Sequence, residues 1–490
     1  MTLRKLGVGL IGIGILGIVF SLLADFLPGA RAGIQSTQIL GIEISILILL
    51  IGIWATLAAD GKLDAGQRLR AFMDQVIHLP VIAWVLIGFL ITYILFFVWP
   101  MFLNSDLRMN YFNRYIPDRF PIGNDLIVII ELAKGWFNAN ESPFTIGFYP
   151  PFTYAFFAPL LLVDDYPTLF KFFTLFSVFS YCLLTFVLPV KMVDKKNIPL
   201  VLLFFITGLA SYGFQFELER GQYNVFTFLL CLWSIYIFHY HPKYRLFAYL
   251  LFSLSVQLKI YPAIFIVMLI DDWRDWKSIL RRFVGLALFN ALLLFIMGYR
   301  VFWDFLQMIM TQMSTPGWTW NGNHSINAFV FNLTKDGYGI TGQHTLAVLR
   351  QNSGLIETSL FLIFCILFLS AILISYRRNR AGMDPYLLAA CMIGALIIPI
   401  SNDYTLSILT APVALVLCSV PDPKNIFSKL TSSALVLGIT LAYASVLIPF
   451  KYKPYYLNNA FPPLFLILIF VTILNWIRYK TCEAPAPEPA

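Results

Sequence analysis

Apolar runs of about twenty residues recur from the N-terminus to Trp476, with the charged residues gathered in short intervals between them. That length lets an α-helix cross the hydrocarbon core of a bilayer while satisfying every backbone N–H and C=O within its own segment. Composition agrees: 59% of the 490 residues are hydrophobic, only 12% are charged, and the mean hydropathy is +0.77. Soluble folds do not have that balance. The chain is expected to be an all-α, polytopic membrane protein.

Candidate spans lie near 6–24, 39–59, 80–103, 150–163, 168–190, 198–216, 223–238, 246–270, 283–299, 355–376, 386–400, 405–420, 431–450 and 459–477, about fourteen crossings by hydropathy. The first follows Arg4 and Lys5 and, although Ala30 and Ala32 faintly resemble a signal-peptidase site, is longer than a signal-peptide core; it is read as a retained helix. The glycines from Gly7 to Gly17 are read as helix-packing positions rather than a nucleotide loop. Of the six cysteines, all but Cys482 (Cys182, Cys231, Cys365, Cys391 and Cys418) sit inside apolar runs and read as packing residues. The formal charge of +8 comes from basic residues in short loops beside helices, which suits topology signals and contacts with membrane lipids rather than nucleic acid.

With both termini cytoplasmic, Arg4/Lys5, Lys62/Arg68/Arg70, Lys277/Arg281/Arg282, Arg377/Arg378/Arg380, Lys424/Lys429 and Arg478/Lys480 share one side, and the long loops 104–150 and 300–354 share the other. Strict alternation then places Lys191, Lys195 and Lys196 outside, against the bias. The alternative makes 150–190 one broken crossing and 246–270 a pair of half-helices meeting at Lys259 to Pro262. Either way the organisation reads as an N-terminal transmembrane hairpin (1–79), a module at 80–300 holding outer loop 104–150, an outer loop at 301–354, further transmembrane helices at 355–480, and a disordered Pro/Ala/Glu tail at 481–490.

The first outer loop carries Asp106, Asp118, Asp125 and Glu131. Asp125 opens an amphipathic stretch, Leu126 to Phe137, expected to be a helix along the membrane surface. Its carboxylate is either the helix N-cap or a general base for a sugar hydroxyl, and the two roles are compatible.

The order of the polar steps resembles glycosyltransferase family 87. After Asp125 come Ala133-Lys134-Gly135, Pro143-Phe144, Tyr149-Pro150-Pro151 and Ala158-Pro159-Leu160. Further on, Gly221-Gln222-Tyr223-Asn224 resembles that family's Gly-Gln-x-Asn step, and Lys259-Ile260-Tyr261-Pro262 its Lys-x-x-Pro step. Asn323-His324-Ser325-Ile326-Asn327 and Pro399 to Tyr404 resemble its last two polar motifs. The resemblance covers roughly residues 80 to 480. The chain departs from the pattern in the helices near 6–24 and 39–59, and in Asn402 where an aromatic residue is more usual.

The resemblance implies a GT-C-type fold in the inner or plasma membrane and an inverting transfer on the extracytoplasmic side. The implied donor is a polyprenyl-phosphate sugar, by family default mannose, and the acceptor a hydroxyl of a glycolipid, glycan or protein. It implies Asp125 as base, with Lys259, Arg220, His324, Gln222 and Asn224 at the donor phosphate. Tyr149, Tyr261, Asn327, Asp403 and Tyr404 are left to hold sugar or acceptor, and no cofactor or metal is implied.

The residue chemistry fits independently: a leaving lipid phosphate needs cations or hydrogen-bond donors, and an ionisable group within an apolar run is by default functional. Each residue also has a plainer reading. Arg220 has Glu217 and Glu219 to pair with, His324 lies among interfacial aromatics such as Trp318 and Trp320, and Asp403 has a helix to cap. His239 and His241 read as interfacial, and Asp164-Asp165 and Asp271-Asp272 as loop charges. Two other classes remain in view. A transporter or flippase of a lipid-linked sugar would place its charges in repeated broken helices near the midplane. A ligase using a lipid diphosphate would be expected to carry more outer arginines.

Overall fold

The computed structural model describes residues 8–17, 45, 48–49, 80–93, 122–163, 165–314, 322–335, 343–379, 382–397, 401–420, 426–447, 462 and 466. Asp106, Asp118, Asp164, Trp318, Trp320, Asn321, Cys482, most of the spans near 39–59 and 459–477, and the tail lie outside these residues. Among the described residues the regular elements are helical, and the β-type pairing is an isolated bridge between Asn323 and Asn402.

The chain divides into two compact units. In the smaller (1–84, 93–112 and 423–433), the helix Val8–Gly17 lies against a second segment: a Cβ on Gly14 would stand 2.7 Å from that of Leu49, and one on Gly17 would strike Ser45. Gly14 and Gly17 are thus close-packing positions, while Gly9 and Gly12 face open space.

The larger unit (85–92, 113–422 and 434–490) holds most of the described chain. Its helices, in order, are α1 (Val81–Tyr93), which begins in the smaller unit, α2 (Asn124–Ala139), α3 (Pro151–Phe157), α4 (Tyr166–Met192), α5 (Ile198–Leu209), α6 (Tyr212–Arg220), α7 (Asn224–Tyr240), α8 (Arg245–Leu258) and α9 (Trp276–Leu293). After these come α10 (Tyr299–Ser314), α11 (Ile326–Thr334), α12 (Gln343–Gln351), α13 (Ser353–Arg378), α14 (Pro385–Ile397), α15 (Thr410–Cys418) and α16 (Ile426–Leu447), which begins in the smaller unit. Shorter 3-10 turns run over Ala158–Leu162, Tyr261–Met268 and Asp403–Leu409.

Among the described residues two helices are long and apolar enough to cross a bilayer alone: α4, with 27 residues, and α13, with 26. At 1.5 Å per residue each reaches about 40 Å, beyond the ~30 Å hydrocarbon core. They match the expected spans 168–190 and 355–376. The expected span 198–216 is the bent pair formed by α5, with its short lead-in from Lys195, and α6, at 49°. The expected span 150–163 is a short helix followed by a 3-10 turn. Stretch 301–354, expected as a loop, contains α11 and α12 and most of α10.

The outside of α13 shows what surrounds the protein. Its buried residues form one stripe, Phe364, Leu367, Ala371 and Ser375, while Leu355, Phe361, Leu362, Ile366 and Leu369 are more than half exposed. A largely apolar outer face beside one narrow buried stripe is the pattern of a lipid-facing helix. At the centre, α7 and α14 are buried on nearly all sides, and α7 packs along α8.

The helical ladder of α8 stops at Lys259, which is extended (φ −150°, ψ 141°), and Pro262 lacks the N–H to resume it at once. The break leaves two buried carbonyls, those of Gln257 and Leu258, to other partners. The Thr153 hydroxyl of α3 donates to both, at 3.1 and 3.0 Å, as the inside of a membrane protein requires. The break between Lys259 and Pro262, one of the two alternatives the sequence left open, is therefore present, and Thr153 of α3 satisfies the carbonyls it frees.

On another part of the unit Asp271 accepts from Arg245 (2.6 Å) and Arg282 (3.0 Å), and both guanidinium groups stand 4.7 Å over the Phe238 ring. Asp165 caps α4 through the Thr168 N–H, and Asp272 accepts from Asn379. These acids, expected as loop charges, are tied into the structure. His239 bonds the Met268 carbonyl at 2.8 Å.

Candidate functional site

The site begins where the start of α2 meets the end of α6. Gly123, left-handed at φ +76°, is the N-cap of α2, so the cap position belongs to glycine and not to Asp125. Its N–H donates to the Glu219 carbonyl at 2.7 Å, and its own carbonyl accepts from the Tyr166 hydroxyl at 3.0 Å. Gly221, at φ +66°, ends α6. A side chain there would be strained by its φ and would stand 2.8 Å from the Leu126 Cβ. The two glycines let the helix ends touch, and the touching ends bring Asp125 to Arg220 and Gln222.

Asp125 is paired with Arg220 Nη2 through one oxygen and accepts from Gln222 Nε2 at 2.5 Å through the other. Arg220 thus finds its partner on α2, ninety-five residues upstream. The Gln222 amide is used at both ends: its oxygen accepts from Lys259 Nζ at 2.7 Å, and the Tyr149 hydroxyl lies 3.0 Å from Nε2. A carboxylate on one side and an ammonium on the other leave the amide one orientation.

Lys259 is 7% exposed, and three tyrosine rings enclose its ammonium: Tyr223 at 4.6 Å, Tyr149 at 5.1 Å and Tyr404 at 5.4 Å. Cation–π attraction and the Gln222 oxygen take the place of lost water. Burial, then the neighbouring Tyr404 and the Asp125 carboxylate, push the Tyr149 phenol well above its ordinary pKa. It stays a neutral donor. Tyr261 stands behind the cage and donates to the Asn224 carbonyl at 3.2 Å. Asn224 is buried, and its Nδ2 meets no acceptor among the described residues.

A second cluster adjoins the first through Tyr404. His324, 1% exposed, bonds Asp403 Oδ1 at 2.8 Å, and Asp403 Oδ2 accepts from the Tyr212 hydroxyl at 3.0 Å. The strand-like pairing of Asn323 with Asn402, with His324 N–H on the Ser401 carbonyl at 2.8 Å, holds these two motifs together. Asn402 donates to the Tyr404 hydroxyl, tying the departure from the family pattern to the cage. Asn327 is the expected site residue that stands apart: it is exposed on α11 and donates to Glu357 at 3.1 Å.

Glu217, Tyr223 and Tyr212 belong to this region and were not expected from the sequence. Glu217 is fully buried and accepts from the Val225 N–H at 2.8 Å and from Ser407. Its signal in the sequence is a carboxylate amid Phe214, Phe216 and Leu218, three residues before Arg220. No three His, Cys, Asp or Glu side chains converge as a metal site among the described residues.

A family model described as Glycosyltransferase family 87 matches residues 148–401, just over half of the chain. The chain belongs to glycosyltransferase family 87. The family match contains Tyr149, Arg220, Gln222, Asn224, Lys259, Tyr261, His324 and Asn327, while Asp125 precedes it and Asp403 and Tyr404 follow it closely. Searches of curated proteins and of solved structures give no significant match. As a family 87 protein with an apolar helical exterior, the chain is a membrane glycosyltransferase, and its sugar and acceptor sites are to be sought among these residues.

Proposed function

We propose that the protein is an inverting, GT-C-type transferase that moves a sugar from a polyprenyl-phosphate donor to an acceptor hydroxyl on the extracytoplasmic face of a cell membrane. Mannose is the sugar the family suggests. The observation that carries the reading is the Gln222 amide, which holds a carboxylate and a buried ammonium at its two ends. Base and leaving-group ligand are thus fixed in one site, as displacement at an anomeric carbon needs.

In this reading Asp125 accepts the proton of the acceptor hydroxyl as its oxygen attacks the anomeric carbon. The bond from that carbon to the phosphate oxygen breaks, and the polyprenyl phosphate leaves with the electron pair. The charge on the departing phosphate is met by Lys259, with His324 and the Asn224 amide as further donors. Arg220 holds the Asp125 carboxylate in place through its ion pair. The phenol of Tyr149 orients the Gln222 amide and a sugar hydroxyl. The neutralising charge comes from Lys259, so transfer is expected to proceed without a divalent ion.

Transfer of labelled mannose from a short-chain polyprenyl-phosphate mannose to mixed membrane glycolipids, with EDTA present, tests the reading. Purified wild type should form product and Asp125→Asn should not. Equal product from both would remove Asp125 from the chemistry, and no product with any polyprenyl-phosphate sugar would sink the donor class.

A further inference from the structure

The two asparagines of the strand-like bridge, Asn323 and Asn402, use their side chains differently. Asn323 Oδ1 accepts from the Ser325 N–H at 3.1 Å and from the Ser401 N–H at 3.0 Å, so it ties the two segments together. Asn402 gives one end of its amide to the cage, Nδ2 donating to the Tyr404 hydroxyl. The other end, Oδ1, is buried and meets no donor among the described residues.

The ordinary use of that oxygen is absent. Asn402 is the N-cap of the 3-10 turn Asp403–Leu409, a position where an asparagine oxygen accepts from a backbone N–H inside the turn. It makes no such cap, and the Thr405 N–H goes to the Asn402 main-chain carbonyl at 2.8 Å instead. A buried carbonyl with nothing to accept is disfavoured. The extended backbone of Asn402 (φ −78°, ψ 160°) and its bridge to Asn323 nevertheless hold the residue in place.

The chemistry of the missing partner is narrow. An amide oxygen only accepts, so the partner brings an O–H or an N–H. The oxygens of an ionised phosphate are acceptors themselves and do not answer it. Position narrows the choice further. The Tyr404 ring stands 5.4 Å from Lys259 Nζ and packs on Phe216 at 5.8 Å, while its hydroxyl takes the Asn402 amide. The next residue, Asp403, holds His324. Asn402 thus lies one tyrosine away from the ammonium assigned to the phosphate, where the sugar joined to that phosphate belongs.

We infer that Asn402 is a specificity-determining residue of the transferase: its Oδ1 accepts a hydrogen bond from a hydroxyl of the sugar being transferred. The inference rests on the lipid-phosphate reading of the site and adds to it a group that reads the sugar. A site with a buried acceptor rejects a sugar lacking the matching hydroxyl, because the acceptor then stays unpaired.

The test is transfer by the full-length protein in lipid nanodiscs to mixed membrane glycolipids. The donors are the short-chain polyprenyl-phosphate sugar that wild type accepts, mannose first, and its analogues each lacking one hydroxyl. Wild type should lose at least about tenfold in kcat/KM with one analogue. Asn402→Leu should lose activity with the parent donor yet suffer no further loss with that analogue, since a hydroxyl and its acceptor count once. With the other analogues the two proteins should fall by equal factors.

If every analogue has the same relative kcat/KM in Asn402→Leu as in wild type, Asn402 reads no hydroxyl of the donor sugar. That result overturns the inference and leaves the donor class standing. Analogues that all stay within about threefold of the parent in wild type overturn it without any variant. Should Asn402→Leu not fold, Asn402→Ala takes its place, and failure of both assigns Asn402 to the fold and refutes the inference. Wild type that transfers no sugar from any polyprenyl phosphate overturns the lipid-phosphate reading and this inference with it.

Discussion

A Cβ on Gly221 would stand 3.3 Å from the Cα of Gly123, and both glycines are left-handed, at φ +66° and +76°. This back-to-back contact lets a helix end and a helix start from distant parts of the chain meet without side chains between them. The contact precedes any chemistry, since without it Asp125 would not reach Arg220 or Gln222.

Gly221→Ala should therefore damage fold and activity together. The left-handed backbone costs an L-residue about 1–2 kcal/mol, and the Leu126 Cβ at 2.8 Å adds overpacking of about 1–3 kcal/mol. The measurement is the unfolding midpoint in detergent beside the transfer rate. A variant with wild-type stability would show that α2 and α6 slide past one another freely.

Asp125→Asn should act mainly on the rate. General-base catalysis contributes about 10²–10⁴-fold; Gly123, not Asp125, occupies the cap of α2, so the loss of stability should be limited to the weakened contacts with Arg220 and Gln222, about 1–3 kcal/mol. Turnover of the folded protein with a saturating donor should fall by at least a hundredfold, more than a lowered unfolding midpoint accounts for.

The class of the fold was legible because a bilayer leaves few options. Apolar runs located α4 and α13 where hydropathy put them, whereas α11, α12 and most of α10 formed in a stretch expected as a loop. The break at Lys259 was one of two alternatives the sequence left open, with Pro262 as its signal, because proline cannot continue the helical ladder. The partner of Arg220 was not legible. Glu217 and Glu219 were near in sequence, but the real partner, Asp125, becomes near only through the φ of two glycines, which hydropathy does not record. Glu217 was hidden for a related reason: it was weighed as a partner for Arg220, whereas its side chain bonds the Val225 N–H and Ser407, the latter 190 residues away. Asn327 shows the reverse error: it shares a motif with His324, but helical rotation turns it to the outer face of α11.

The Asp271 cluster gives a pH dependence with a definite sign. Burial acts to raise the Asp271 pKa, but the Arg282 and Arg245 guanidinium groups outweigh it and hold the carboxyl below its ordinary range. A carboxyl depressed on folding stabilises above its unfolded pKa of about 3.9 and loses that contribution as pH falls through the native value. Asp271→Asn should unfold at a lower temperature than wild type near neutrality. The two midpoints should converge as the pH is taken below the usual aspartate range.

The last expectation concerns Asp403, which accepts from His324 on one oxygen and from Tyr212 on the other. Asp403→Asn supplies only one acceptor oxygen, so one buried donor loses its partner at about 1–3 kcal/mol. Tyr212→Phe removes the competing hydroxyl and lets the asparagine turn its oxygen to His324. The double variant Tyr212→Phe/Asp403→Asn should then be more stable than the sum of the single losses predicts, and should recover part of the transfer rate lost in Asp403→Asn. Unfolding midpoints and turnover of the four proteins measure both couplings. Strict additivity in the two would mean that Asp403 holds His324 and Tyr212 independently and that the buried chain of three side chains does not act as one unit.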